Sequence, residues 1–175
     1  MVSLGKEHGE DSPGKKIIQL GATAEQEALE RFYGQTKGAE LAPPKHKYSD
    51  IIIRLYTGHI IDWAEVKVDT YPDAIGVEFI QEVAGEARIG SLFHSVAPLW
   101  DIKTQYGWFR MYRKAVEILA CRYAHDYRYC WHNMAVSGIP TVIVRVPVRE
   151  LQANCYEFKP LLKEDKTKWR KSKKK

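Results

Sequence analysis

In the segment SDIIIRLYTGHIIDWAEVKV, residues 49–68, Asp50 stands near one end and Glu65 and Lys67 near the other. Two carboxylates held side by side repel each other unless a cation lies between them. Oxygen donors of this kind suit Mg²⁺ or Mn²⁺, with waters and a substrate phosphate filling the remaining positions. Such an ion polarises a phosphoryl oxygen and lowers the pKa of a bound water, while a neighbouring lysine orients that water and offsets the developing charge. This is the chemistry of phosphodiester hydrolysis. The acid-x-lysine pattern alone selects nothing, because it occurs at Glu65-Val66-Lys67, Asp101-Ile102-Lys103, Glu157-Phe158-Lys159 and Glu164-Asp165-Lys166. The second reads as irregular chain beside Pro98, the third follows a strand without an acid, and the fourth lies in a basic tail. Only Glu65 and Lys67 have an acid on the neighbouring strand.

The element that must position them is a β-hairpin. The β-branched run 51–53 and the run 60–68 flank Thr57-Gly58-His59, a turn signal. Side chains alternate along a strand, so Glu65 and Lys67 share a face with Ile61 and Trp63, and Ala64 and Val66 take the other. A turn at Thr57-Gly58 opposes Asp50 to Glu65, and one at Gly58-His59 opposes it to Lys67. Both cluster the three polar residues and leave Ile51, Ile53 and Leu55 with the core. A three-residue loop would oppose Asp50 to Val66 and send the acid inward.

Around the hairpin, Ala24, Ala28, Leu29 and Phe32 predict a helix over residues 21–33, with Gly34 after its last turn. Glu25 then falls in the first turns, where the helix macrodipole alone favours an acid. Pro43 and Pro44 mark a loop or short edge strand. Val77, Ile80, Val83, Ala84 and Ala87 predict a second helix starting at Asp73. A longer helix is expected over residues 105–127, with Trp108, Tyr112, Val116, Leu119 and Tyr123 inside and Arg110, Arg113, Lys114 and Glu117 outside. GIPTVIVRVPV reads as a strand, and NCYEFKP as one more. The order implies an α/β domain with a mixed sheet flanked by helices.

These residues resemble the PD-(D/E)xK nuclease superfamily, whose restriction-endonuclease-like core is a helix, a three-stranded meander, a helix and a strand. Its acid at the start of the second strand and its ExK on the third correspond to Asp50, Glu65 and Lys67. Archaeal Holliday junction resolvases and their relatives add a helix glutamate in a pattern like G-x-x-x-E-x-x-A, matched here by Gly21, Glu25 and Ala28. The resemblance spans residues 20–90 and the strand 141–148, and small resolvase-like or archaeal-virus nucleases are the nearer comparison. Ser49 replaces the proline that names the family, Gln81 lacks the tyrosine of one branch, and three cysteines are too few for the cluster-bearing exonucleases. The resemblance implies a Mg²⁺- or Mn²⁺-dependent DNA endonuclease, with Asp50, Glu65, Glu25 and the Val66 carbonyl on the metal and Lys67 on the attacking water. It further implies an isologous homodimer.

Composition is compatible with this. The chain of 175 residues is 45% hydrophobic and 11% aromatic, the balance of a single globular domain. We expect a polar leader over residues 1–19, one domain over 20–162 and a basic tail over 163–175. No apolar run approaches the roughly 18 residues of a membrane span, the start lacks a signal-peptide core, and three cysteines make no disulfide scaffold. A soluble cytoplasmic protein is expected, in a host cytoplasm if the source is viral. Of the net +5, the tail holds eight Lys/Arg and two acids, leaving 19 bases against 20 acids in the body. Phosphate contacts are expected from Arg54, from Arg110, Arg113 and Lys114, and from Lys168, Arg170 and Lys171 of the tail. Cys121, His125, Cys130 and His132 are zinc-competent types at spacings that fit no common zinc site, and packing is the expectation there. Two rivals remain open on the residues: a nucleic-acid-binding protein that kept the fold without the chemistry, and a basic scaffold whose acidic cluster is a solvated salt bridge.

Overall fold

The computed structural model describes residues 13–43, 49–69, 71–83, 85–90, 93, 95–134 and 140–161. Helix α1 (Pro13–Tyr33) leads into strands β1 (Ala39–Leu41), β2 (Ile51–Arg54) and β3 (Ile60–Val68). A second hairpin, β4 (Ala74–Val83) and β5 (Glu86–Ile89), precedes β6 (Leu99–Lys103) and β7 (Gly107–Tyr112). Helix α2 (Arg113–Ala124) and a 3₁₀ turn (Tyr127–Tyr129) follow. Strands β8 (Cys130–Met134) and β9 (Pro140–Pro147), helix α3 (Val148–Asn154) and strand β10 (Glu157–Pro160) complete the described chain.

The central sheet has the order β1-β2-β3-β6-β7-β10. The first three strands form an antiparallel meander, β6 runs parallel to β3, and β7 and β10 return antiparallel. A second, antiparallel sheet has the order β5-β4-β9-β8. Alternation divides the central sheet into two apolar faces. Ile51, Ile53, Ala64, Val66 and Trp108 pack under Ala24, Ala28 and Tyr33 of α1. Trp100, Ile102, Phe109 and Met111 pack against Ile75, Val77 and Val146 of the second sheet and against α2 and α3. Among the described residues no helix is long and apolar enough to cross a membrane.

Four expectations are corrected. Residues 73–89 form the β4–β5 hairpin, not a helix: Ile75 and Val77 are buried at period two, and Gly85 at φ 79° makes the turn. The helical spacing coexisted with that alternation, and antiparallel pairing with β9 chose the strand. The helix expected over 105–127 begins only at Arg113, because GWFRMY is a strand buried on both faces, and such strands read as continuous apolar runs. Tyr112, expected inside, is exposed. Residues 99–103 are not irregular but a central strand that pairs parallel with β3. Finally, α1 starts at Pro13, a residue favoured in a helix's first turn. Gly21 is no boundary, since α1 runs through it unbroken. Glu25 therefore sits mid-helix, where the macrodipole does not account for it.

Gly38 joins α1 to the meander. Its φ is 82°, and a Cβ would come within 2.1 Å of the Arg54 carbonyl oxygen, whose own N–H donates to the Gly38 carbonyl at 2.9 Å. Backbone strain plus that clash should make Gly38→Ala cost about 2 kcal/mol or more, lowering Tm by about 4–8 °C in a chain of this size. An unchanged melting curve would show that the β1–β2 edge carries no such constraint.

Candidate active site

The hairpin closes through a three-residue loop. Gly58 N–H donates to Leu55 O, Leu55 N–H donates to His59 O, both at 2.8 Å, and Gly58 has φ 85°. Arg54 pairs with Ile60, a register that would carry Asp50 to the core face if it continued. It does not continue. The register shifts between Ile53 and Arg54, so that Ile53 pairs with Asp62 and Ile51 with Ala64. The one extra β3 residue is a β-bulge, and beyond the Ile51–Ala64 pair that ends the ladder the Asp50 carboxylate reaches the Val66 N–H, between Glu65 and Lys67. The expected cluster is present, by a different route from the two-residue turns.

Asp50 is anchored on both sides: its N–H donates to Ala64 O at 3.0 Å and its carbonyl accepts from Ala42 N–H at 2.8 Å. Its Oδ2 accepts the Val66 N–H at 2.7 Å. Glu65 Oε1 lies 2.5 Å from Lys67 Nζ, and Glu65 Oε2 accepts from the Ser95 hydroxyl at 3.4 Å. Lys67 Nζ stands 5.5 Å from the Trp100 ring centroid. Burial first, and then the Glu65 charge, pushes the Asp50 carboxyl up to about 6; the Val66 N–H and Lys67 pull it back, and Glu25 adds to the push. Glu25 thus acts on Asp50 electrostatically from α1.

Among the described residues no group of three or more His, Cys, Asp and Glu side chains is placed to hold a metal. What the site offers is a carboxylate pair, one member of which is raised above the ordinary aspartate range by burial and by the charge of the other. That donor set fits Mg²⁺ or Mn²⁺, which keep several waters and bind through one or two carboxylates plus substrate phosphate. An extended residue presents its N–H and C=O to the same neighbouring strand, which puts the Val66 carbonyl on the Asp50 side of β3. Cys121, His125, Cys130 and His132 form no such group. Cys130 Sγ donates instead to the Ala124 carbonyl at 3.4 Å.

The expected phosphate contacts fare unevenly. Arg110 is a correction: it lies on β7, not on a helix exterior, and is 7% exposed. Its guanidinium donates to Asp101 at 2.8 and 3.0 Å and lies 3.9 Å from the Phe32 ring centroid, so no phosphate can reach it. Arg54 pairs with Glu40 at 2.7 Å and donates to Gly58 O at 3.1 Å, a structural role at the hairpin tip. Arg113 and Lys114 open α2 and pair with Glu117 at 3.5 and 2.8 Å. Lys114 is largely exposed. Lys168, Arg170 and Lys171 lie outside the described residues. Ser95 and Trp100 were not anticipated; they come from the stretch read as irregular, and nothing in their spacing pointed to the hairpin.

Comparison of the chain with known protein families, with curated proteins and with solved structures finds no match.

Proposed function

We propose that the protein is a metal-dependent DNA endonuclease built on a restriction-endonuclease-like core, with Asp50, Glu65 and Lys67 as its catalytic residues. The observation that carries this reading is the bulged hairpin, which seats the Asp50 carboxylate on the Val66 N–H, between Glu65 and its partner Lys67. The antiparallel meander followed by a parallel strand also supports it, although a β-hairpin stands where the family's second helix is expected.

In this reading Asp50 and Glu65 hold the cation, with the Val66 carbonyl beside them and Glu25 adding negative charge from α1. When bound, the divalent ion polarises the phosphoryl oxygen and makes water a stronger nucleophile. Lys67 orients the attacking water and offsets charge on the phosphate. The water oxygen bonds to phosphorus as the P–O bond to the leaving strand breaks, and the proton given up by the water ends on the leaving oxygen. Trp100 and Ser95 limit how Lys67 and Glu65 can turn. Arg113, Lys114 and the basic tail supply phosphate contacts, and an isologous dimer would present two such sites.

Cleavage of labelled duplex and branched DNA should require Mg²⁺ or Mn²⁺; cutting in excess chelator would refute the assignment. Lys67→Ala should lose about 10²–10³-fold in turnover, while Mn²⁺ still raises Tm. A second reading has its own observation: Lys67 already neutralises Glu65 at 2.5 Å, as a purely structural ion pair would. It predicts DNA binding without cleavage and no change in Tm on adding Mn²⁺.

A further inference from the structure

A cleft of about 600 Å³ opens where the start of β4, the β6–β7 turn, the 3₁₀ turn, β9 and α3 meet. None of Asp50, Glu65 and Lys67 lines it. Arg128, Arg145 and Arg149 do, each from a different element, with Asp73 as the lining carboxylate. Cations gathered around one opening repel one another to the extent that their charges are not met locally.

The three differ in how far their charge is already met. Arg128 is clasped by Asp126 through Nε at 2.9 and 3.0 Å. Arg149, 74% exposed, reaches Glu150 only at 4.0 Å. Arg145 has no ion pair among the described residues, and its Nε is buried without a hydrogen-bond partner among them. The Asp69 carboxylate accepts the backbone N–H groups of Tyr71 and Gly76, and Gly76 is the β4 partner of Arg145. The Arg145 guanidinium lies 4.6 and 4.0 Å from the ring centroids of Tyr71 and Trp131, which stand 5.7 Å from each other. No carboxylate among the described residues forms an ion pair with its N–H fork, the group with which arginine binds phosphate bidentately. Tyr106 also lines the cleft and is 42% exposed, its hydroxyl donating to Asp73 at 3.4 Å.

Arginine forks beside an accessible aromatic ring are the elements with which proteins hold unpaired strands, phosphates on cations and bases on rings. We infer that this cleft binds a single-stranded nucleic-acid segment, with Arg145 and Arg149 on its phosphates and Tyr106 against a base. The identity of the anion rests on the nucleic-acid reading proposed above; the convergence of the arginines does not.

The test is fluorescence anisotropy of a labelled oligothymidylate of about 12 nucleotides with the full chain, in excess chelator, at several salt concentrations. Arg149→Ala should weaken binding about three- to tenfold and flatten the salt slope by about 0.7, one single-strand phosphate contact. Arg145→Lys keeps the charge but not the stacked fork, so affinity should fall with the slope retained. Arg149 is exposed, so its variant keeps the fold even if Arg145→Lys does not. Unchanged affinity and slope in both variants would overturn the cleft, as would equal losses for a duplex of the same length. Metal-dependent cleavage alongside normal oligonucleotide binding by both variants removes the cleft and leaves the nuclease. Weakened binding by both variants of a wild type that never cleaves removes the nuclease and leaves the cleft.

Discussion

Asp50→Asn and Glu65→Gln should each lower DNA cleavage by at least about a thousandfold, the effect of losing several kcal/mol of metal-borne stabilisation in the transition state. Neither should unfold the protein, and Asp50→Asn should stabilise it. In the folded chain Asp50 titrates near 6 against about 3.9 for an ordinary aspartate. A carboxyl raised by folding binds more protons in the native than in the unfolded state between those values, so it costs stability progressively as pH rises from about 4 to about 6. The full shift corresponds to about 3 kcal/mol, and partial exposure of the site reduces this to roughly 1–2 kcal/mol. Asparagine keeps an acceptor for the Val66 N–H and removes the charge. The variant should therefore melt above the parent at pH 8 and with it at pH 4. Mn²⁺ at 100 times its dissociation constant should return about 2.7 kcal/mol to the parent and little to the variant. Thermal unfolding across pH, with and without Mn²⁺, measures both; an Asp50→Asn protein less stable than the parent at pH 8 would mean that the carboxylate is a structural anchor and not a strained ligand.

The second large effect is expected at Asp101 and Arg110. Asp101 is fully buried. Burial raises its carboxyl above the usual range and the Arg110 fork pulls it back; on Arg110, burial opposes the charge and Asp101 more than offsets it. Glu157 lies 3.7 Å from Arg110. The Tyr33 hydroxyl lies beside Asp101 without a well-formed hydrogen bond, and burial followed by that carboxylate pushes it well above the usual phenol range. Arg110→Met leaves a buried carboxylate without its cation and should cost about 3–5 kcal/mol near neutral pH. Asp101 would then be raised further, so the variant loses stability as pH rises above about 4, and the gap to the parent should narrow toward that pH. The double variant Asp101→Leu, Arg110→Met should recover most of the loss, since a well-packed apolar pair replaces an ion pair at little cost. Chemical denaturation of parent, single and double variants gives the coupling directly. Additive losses would show that the two residues do not act as a pair.

The alternation of Ile51, Ile53, Ala64 and Val66 against Glu65 and Lys67 is local information: a strand has period two, and the apolar set must face the core. That pattern alone determined that Asp50 shares a face with Glu65, and it held although the loop has three residues. A different loop with unbroken pairing would have buried the acid, so the chain absorbs one residue as a bulge. Which residue bulges was not legible, because loop and bulge trade against each other at constant pattern. The first helix and the 140–147 strand were legible for the same local reason, although α1 ran eight residues further toward the N-terminus than Gly21 suggested.

Only tertiary structure decided the rest. Residues 74–83 satisfy helical and strand periods together, and pairing with β9 chose the strand. Arg110 has the flanking residues of a solvated helix face, yet lies between two sheet neighbours on β7, where Asp101 and the rings of α1 make its burial tolerable. The partners of Glu65 and Lys67, Ser95 and Trp100, are roughly thirty residues distant in the chain, and the parallel β3–β6 pairing that brings Trp100 beside Glu65 leaves no local trace. The convergence of Arg128, Arg145 and Arg149 is of the same kind. Local periodicity specifies which way a side chain points, but not which distant strand, helix or turn will meet it there.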